Sequence, residues 1–200
     1  MKFARLMMAA ALAAGTMFMV TGCGKAEPAE PAEFADNGKT LVKFHGDKWE
    51  KDSYTIPDTV LSIGKGAFAF NKTLKRINLP QTIETIGDSA FEGAAIEEIN
   101  LPPSLKSIGK TAFSGTQLKK IKIPGSVKII PTYCFGRCNN LEEADIEWGV
   151  EIIGQFAFTK CQNLTSVNMP RSLTKMNHNS FNETPVSSLM EQKYKRLMVY

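Results

Sequence analysis

The stretch LPPSLKSIGKTAFSG, residues 101–115, decides the fold because variants of it recur along the chain. Each variant centres on a phenylalanine that follows a small residue, and an aliphatic residue stands five or six positions later. The phenylalanines, spaced 22 or 23 residues apart, are Phe68, Phe91, Phe113, Phe135, Phe158 and Phe181. From each aliphatic residue to the next phenylalanine the separation is always 17 residues. The length difference therefore falls in one turn, and the packed positions stay in register.

A repeat of this length predicts a solenoid. Each copy is expected to form one strand at x-I-x-L and a second short extended segment at L-x-x-I-G. A tight turn or short helix is expected to carry the phenylalanine. No copy can bury its apolar side chains alone, whereas stacked copies share one continuous core. The phenylalanine column and the Leu/Ile columns are therefore interpreted as core and not as a cofactor pocket.

One column of the repeat is mostly glycine. Its members are Gly64, Gly87, Gly109, Pro131, Gly154 and Asn177. Proline cannot take a positive φ, so this position is not expected to need a left-handed backbone. The glycines are expected to allow close approach of neighbouring coils.

The repeat pattern L-x-x-I-x-L-P-x-S-L-x-x-I-G-x-x-A-F-x-G-C resembles the BspA-like class of leucine-rich repeats over about residues 54–186. The resemblance implies a leucine-rich-repeat solenoid, short and right-handed, of α/β or mainly β type. It would have about five to six coils within a domain over residues 40–200. Residues 40–53 and 187–200 are expected to cap its ends. In the C-terminal cap the apolar spacing indicates a helix, and a strand is the alternative.

The resemblance also implies a binding role and not an enzymatic one. Members of the class are known as surface antigens, and some adhere to host matrix proteins such as fibronectin and fibrinogen or to other bacteria. We expect a monomeric module that contacts an extracellular or envelope protein, with no cofactor and no metal. The sequence holds no phosphate loop, dinucleotide fingerprint or HExxH motif. The alternative function is a periplasm-facing structural or scaffold lipoprotein of the cell envelope.

The first 22 residues indicate a bacterial lipoprotein signal peptide. Lys2 and Arg5 form a basic start, and the apolar segment over residues 6–20 is short for a membrane span. The tetrapeptide VTGC, residues 20–23, resembles a lipobox, which implies cleavage before Cys23 and lipidation of that residue. The alternative is an ordinary signal peptide with an incidental cysteine. Both interpretations predict an exported protein. With the lipobox, we expect the protein to be anchored by lipid to the bacterial cell envelope and exposed at the cell surface.

Composition supports this placement. Cys23 and the Pro/Ala/Glu-rich residues 24–39 predict a disordered spacer, because they cannot bury enough apolar surface to order themselves. The formal net charge is +4, and it falls to about +2 without the two basic residues of the leader (22 basic minus 20 acidic). A value that small gives no reason to expect a nucleic-acid partner.

The strand positions that flank the buried isoleucine form the candidate binding face. Their side chains alternate in sign from coil to coil, so Glu98 is expected between Arg76 and Lys120, and Glu143 and Asp145 beside Lys120 and Lys122. Flanking cations favour the ionised carboxylate, which argues against a general acid. The candidate protein-binding residues of this face are Arg76, Asn78, Glu98, Asn100, Lys120, Lys122, Glu143, Asp145, Ser166 and Asn168.

Three further residues have two interpretations each. Cys138 and Cys161 occupy the same slot one coil apart, so they form either a disulfide or two small buried thiols; the second is favoured because stacked side chains point in parallel. Trp148 stands in a loop slot held elsewhere by surface residue types. It is either an exposed anchor for a partner or a ring lying flat over Pro124 or Pro170, and the flat packing is favoured.

Overall fold

The computed structural model describes residues 31–46 and 49–199. The chain winds into a β-solenoid of about seven turns, which confirms the predicted leucine-rich-repeat architecture. The signal peptide, Cys23 and most of the predicted spacer lie outside the described residues. Within the described ranges, no helix is both long and apolar enough to cross a membrane.

Each repeat contributes two short strands to two different faces of the solenoid. The x-I-x-L segments form the first face, here called the strand face, from β3 (Ser53–Thr55), β5 (Arg76–Asn78), β7 (Glu98–Ile99), β9 (Lys120–Ile123), β11 (Glu143–Ile146) and β13 (Ser166–Asn168). The L-x-x-I-G segments form the second face, from β4 (Ser62–Ile63), β6 (Thr85–Ile86), β8 (Ser107–Ile108), β10 (Ile129–Ile130), β12 (Ile152–Ile153) and β14 (Lys175–Asn177). Paired strands of successive coils are parallel.

The phenylalanine turns form the third side, and their rings stack through the whole solenoid. Successive centroids from Phe68 to Phe181 lie 5.0 to 5.3 Å apart, with interplanar angles of 3 to 13°. Phe44 of the N-terminal cap extends the stack, 5.2 Å from Phe68. The repeat phenylalanines are buried. The predicted core column is confirmed.

The glycine column serves close approach, as expected. A Cβ added at Gly87 would lie 2.8 Å from the backbone nitrogen of Lys65, and one at Gly109 would lie 2.3 Å from that of Asp88. Neither glycine has a left-handed φ. The column is therefore set by the spacing between coils.

Left-handed backbone occurs instead in the phenylalanine turns, at two positions four residues apart. The first position is Gly66, Ser89, Thr111, Tyr133 and Phe156, and the second is Phe70, Gly93, Gly115, Arg137, Lys160 and Glu183, with φ between 53 and 69°. Glycine adopts this region without the steric cost that other residues pay. These positions were not recognisable from the sequence, because so few of them hold glycine.

The N-terminal cap is larger than predicted, and the C-terminal cap contains both a helix and a strand. Strand β1 (Ala32–Ala35) pairs antiparallel with β2 (Thr40–Phe44). The prediction of a disordered spacer up to residue 39 is therefore wrong for residues 32–39, because this hairpin buries Ala32 and closes the apolar end. The C-terminal cap contains a helix, α1 (Ser187–Tyr194), and a strand, β15 (Met198–Val199), which pairs with β14.

Both faces are interrupted between the same two coils. In the part of the chain that the structure describes, no ladder joins β7 to β9 or β8 to β10. On the second face Pro131 explains one missing bond: Gly109 donates its N–H to Ile86 O (2.7 Å) and Gly154 to Ile130 O (2.8 Å), whereas Pro131 has no N–H for Ile108 O. We call this boundary the seam.

The third side is continuous across the seam. Thr111 donates to Thr132 O (3.1 Å), Phe113 to Cys134 O (2.9 Å) and Gly115 to Gly136 O (2.8 Å). Phe113 and Phe135 stack at 5.3 Å. A further bond, from Gln117 N–H to Ile96 O (3.1 Å), crosses at the corner that leads into the strand face. The two coils are therefore joined by backbone hydrogen bonds along their phenylalanine turns and at this corner, and not by a ladder on either sheet.

Substitution Arg137→Gly should stabilise the domain by up to about 1 kcal/mol, because glycine adopts a left-handed backbone without the steric cost of an L-residue. The greater conformational entropy of glycine in the unfolded chain offsets part of this gain. Arg137 is exposed, with φ of 60°. Chemical denaturation measures the change. Lys110→Gly is the control: it is exposed and not left-handed, and it should destabilise. A destabilised Arg137→Gly variant would contradict the argument.

Candidate binding surface

The strand face presents the predicted binding residues on one side of the solenoid. Side chains alternate along each strand: Lys120 and Lys122 are exposed, whereas Ile121 and Ile123 are buried. The exposed members of the predicted set on this face are Arg76, Asn78, Glu98, Asn100, Lys120, Lys122, Ser166 and Asn168, and the half-buried ones are Glu143 and Asp145. The structure thus brings them onto one surface. Their role in binding stays a prediction.

Ion pairs link neighbouring coils on this face, and one has the predicted partners. Lys120 Nζ lies 2.7 Å from Glu143 Oε2, and the hydrogen bond from that lysine raises its pKa. Lys122 Nζ pairs with Glu147 Oε1 at 2.9 Å and not with Asp145, which accepts a hydrogen bond from Asn168 Nδ2 (2.8 Å). This pairing raises the pKa of Lys122 and lowers that of Glu147.

Glu98 lies beside Arg76 in the strand register, as predicted, but the predicted ion pairs of Glu98 with Arg76 and Lys120 are not formed. Arg76 instead pairs with Asp52, with Nη2 and Oδ2 at 3.2 Å. Lys120 lies across the seam, where β7 and β9 are not laddered. Among the residues that the structure describes, Glu98 has no ion pair and no ion pair crosses the seam.

A groove of about 490 Å³ opens on the strand face at the seam. Buried Ile99 and Ile121 belong to its lining, with charged groups of both signs around them. The polar and charged residues of the lining are Glu97, Glu98, Asn100, Lys119, Lys120, Lys122, Glu143 and Asp145. Two of the carboxylates are paired with lysines, Glu97 with Lys75 (3.4 Å) and Glu143 with Lys120. The groove offers charged and amide contacts to a polar partner segment.

The second face carries a ladder that the sequence analysis missed. Lys106 Nζ lies 2.8 Å from Glu84 Oε2, and Lys128 Nζ lies 3.3 Å from Glu151 Oε1. These opposite charges on neighbouring coils were readable in the sequence at one position, the residue before each second strand. Here too the pairs stop at the seam, where Lys106 and Lys128 are successive members of the column.

Trp148 is an exposed side chain, with 79% of its surface accessible. The prediction that its ring lies flat over Pro124 or Pro170 is therefore wrong, and the exposed alternative holds. The loop is fixed by its backbone: Gly125, lacking a Cβ, allows close approach of the Trp148 carbonyl from the next coil. Ile129 on the second face is half exposed. Large apolar side chains at such positions are typical anchors for protein partners.

The cysteine column is made of buried free thiols, as favoured from the sequence. Cys134, Cys138 and Cys161 are free and buried, so the possible Cys138–Cys161 disulfide is not formed. Cys138 Sγ donates to Phe113 O (3.1 Å) and Cys161 Sγ to Phe135 O (3.0 Å). Burial raises the pKa of Cys134, and a hydrogen bond with Cys138 together with burial raises that of Cys161. No His, Cys, Asp or Glu cluster suited to a metal occurs in the described ranges.

Native thiols should react slowly, because the thiolate is the reactive species and all three cysteines are buried. The raised pKa values of Cys134 and Cys161 lower their reactivity further. With Cys23 replaced by Ser, mass spectrometry after maleimide treatment at pH 8 should show no adduct on the folded protein. After unfolding in guanidinium, the protein should carry three maleimide adducts, one for each buried cysteine. Rapid native labelling, or fewer than three adducts after unfolding without reductant, would contradict this account.

Comparison with known proteins agrees with the geometry. Solved structures with this fold include a leucine-rich repeat protein from Eubacterium ventriosum, 25% identical, with a TM-score of 0.66 over 74% of this chain and 47% of the other. One from Bacteroides ovatus is 25% identical, with a TM-score of 0.56 over 78% and 48%. The chain thus spans about half the length of these two proteins. The T. pallidum leucine-rich repeat protein shares the fold at 20% identity, with a TM-score of 0.65 over 86% and 96%.

Curated proteins yield no significant match. The profile of the BspA-type leucine-rich repeat region matches six copies, over residues 44–147 and 88–194. These matches cover most of the solenoid, including both sides of the seam. The family points to a protein-interaction module. The chain belongs to the BspA-type leucine-rich repeat family.

Proposed function

We propose that the chain is a lipid-anchored, extracytoplasmic protein-binding module of a bacterial cell envelope, which acts in adhesion or in contact with a host or matrix protein. The observation that carries the binding role is the groove on the strand face. It combines an apolar floor with solvent-accessible carboxylates, amines and amides. The packed core of stacked rings lies beneath it.

Binding is favoured over catalysis by how the groove uses its charges. Lys120 and Lys122 are held by carboxylates of the next coil, and their side chains remain exposed. Exposed pairs of this kind are weak in water, so a partner can replace one pairing with another at low cost. A mixed-sign surface fits a protein partner with complementary charges of both signs better than a polyanion.

Anchoring and export rest on the leader. The lipobox-like VTGC would place a diacylglycerol group on Cys23, and two acyl chains hold a protein stably at a bilayer. Cys23 lies eight residues before the start of the described chain, so the solenoid would sit close to the membrane. A scaffold role facing the periplasm uses the same anchor and differs only in which way the domain faces.

The binding test compares two variants with the same loss of charge. Lys120→Ala/Lys122→Ala removes both amines from the groove, and Lys106→Ala/Lys128→Ala removes two exposed amines from the second face. Immobilised fibronectin, fibrinogen and envelope extract serve as probes. The proposal expects salt-sensitive capture that the first variant weakens about tenfold or more and the second leaves unchanged.

Trp148→Ala is tested in the same series and should also weaken capture. Equal loss in both lysine variants would mean nonspecific charge attraction and would contradict the strand-face site. Capture of an envelope protein alone would favour the scaffold role over adhesion. In cells, Cys23→Ala should release the protein from membranes. Protease added to intact cells should digest the domain only if the domain faces outward.

A further inference from the structure

We propose that the seam is a hinge, so that the solenoid consists of two rigid stacks of coils that open against each other on the strand face. The inference does not depend on which partner the strand face binds. It rests on three features that coincide at one coil boundary: two interrupted sheets, an intact phenylalanine side and a groove.

The interruption is visible bond by bond. One coil beyond the seam, Glu143 donates its N–H to Lys119 O (3.4 Å) and Ile152 donates to Lys128 O (3.2 Å). The equivalent donors at the seam, Lys120 and Ile129, have no such bond to the preceding coil in the described structure. Opening the seam therefore breaks no sheet ladder, whereas opening a neighbouring boundary would break one on each face.

Charged side chains add little resistance at this boundary. The ion pairs of both faces lie within the stacks, as in Lys75–Glu97 and Lys120–Glu143 on the strand face. On the second face Lys106 and Lys128 place like charges on the two sides. At other coil boundaries, opposite charges in neighbouring strands stabilise the packing of one coil on the next.

The pivot is the phenylalanine side, where the backbone bonds of Thr111, Phe113 and Gly115 cross the seam. Stacked rings and a row of hydrogen bonds on one edge, with two open sheets elsewhere, are the arrangement expected for rotation about that edge. Packed elements on either side would then move as rigid bodies. The groove lies on the opening side, so its width changes with the hinge.

Distances between spin labels test the motion. The full chain with Cys23→Ser carries labels at Thr55 and Asn168, both exposed on the strand face and five coils apart, about 24 Å at one strand spacing per coil. A second pair, Lys65 and Gln155, is exposed in the turn column beside the pivot. The buried native thiols stay unlabelled.

The hinge predicts a distance distribution about twofold or more wider for the Thr55–Asn168 pair than for the Lys65–Gln155 pair. Pro131→Ala restores an N–H that can reach Ile108 O, and proline already carries a Cβ, so the change adds no bulk. This variant should narrow the strand-face distribution. Pro103→Ala, in an exposed loop of the neighbouring coil, removes a proline without restoring that bond and should leave the width unchanged.

Amide hydrogen exchange gives a second readout within one molecule. Lys120 and Ile129 should exchange about tenfold or more faster than Glu143 and Ile152, their equivalents one coil on. Two equally narrow distance distributions would show a rigid seam and overturn the proposal. Two equally wide ones would show that the whole solenoid bends, and this would overturn it as well.

Discussion

The stack of phenylalanine rings is the interaction on which the rest of this solenoid depends. Each ring fills the corner of its coil and lies about 5 Å from the next, so every coil buries apolar surface that it could not bury alone. The stack also fixes the turns around it. Tyr133 and Arg137, on either side of the buried Phe135 ring, both hold a left-handed backbone. At the seam, where no sheet ladder is formed, the same stack and its flanking backbone bonds join the two halves together with the buried leucine and isoleucine columns.

The architecture was predictable because the repeat period and the apolar columns are written directly in the sequence. The constant separation between each aliphatic residue and the next phenylalanine indicated strict register. Pro131 showed that its column needs no positive φ, and the same residue lacks the N–H that the second sheet requires. Its effect on the ladder could have been found from the sequence, since the register was already known. The break in the strand face has no comparable signal, because no proline stands at that position.

The individual contacts were harder to predict, since they depend on side-chain reach and not on register. Lys122 pairs with Glu147 because that glutamate stands where other coils have proline, and its side chain also accepts the Gly125 N–H (3.3 Å). Arg76, one of the two partners expected for Glu98, pairs instead with Asp52 of the N-terminal cap. The hairpin that includes Ala32 was missed because a four-residue strand in a Pro/Ala/Glu-rich region carries too little apolar pattern to be recognised. The exposure of Trp148 was equally unreadable, since it depends on where its loop places the ring.

The central claim is that the phenylalanine stack holds the solenoid together, and it is tested most directly at the seam. We would measure the free energy of unfolding of Phe113→Ala by chemical denaturation. The account predicts a loss of about 3–5 kcal/mol, typical of a buried aromatic residue replaced by alanine. It also predicts that the two halves lose their shared transition, because no sheet ladder joins them there. A loss below about 1 kcal/mol with a single unchanged transition would contradict the claim.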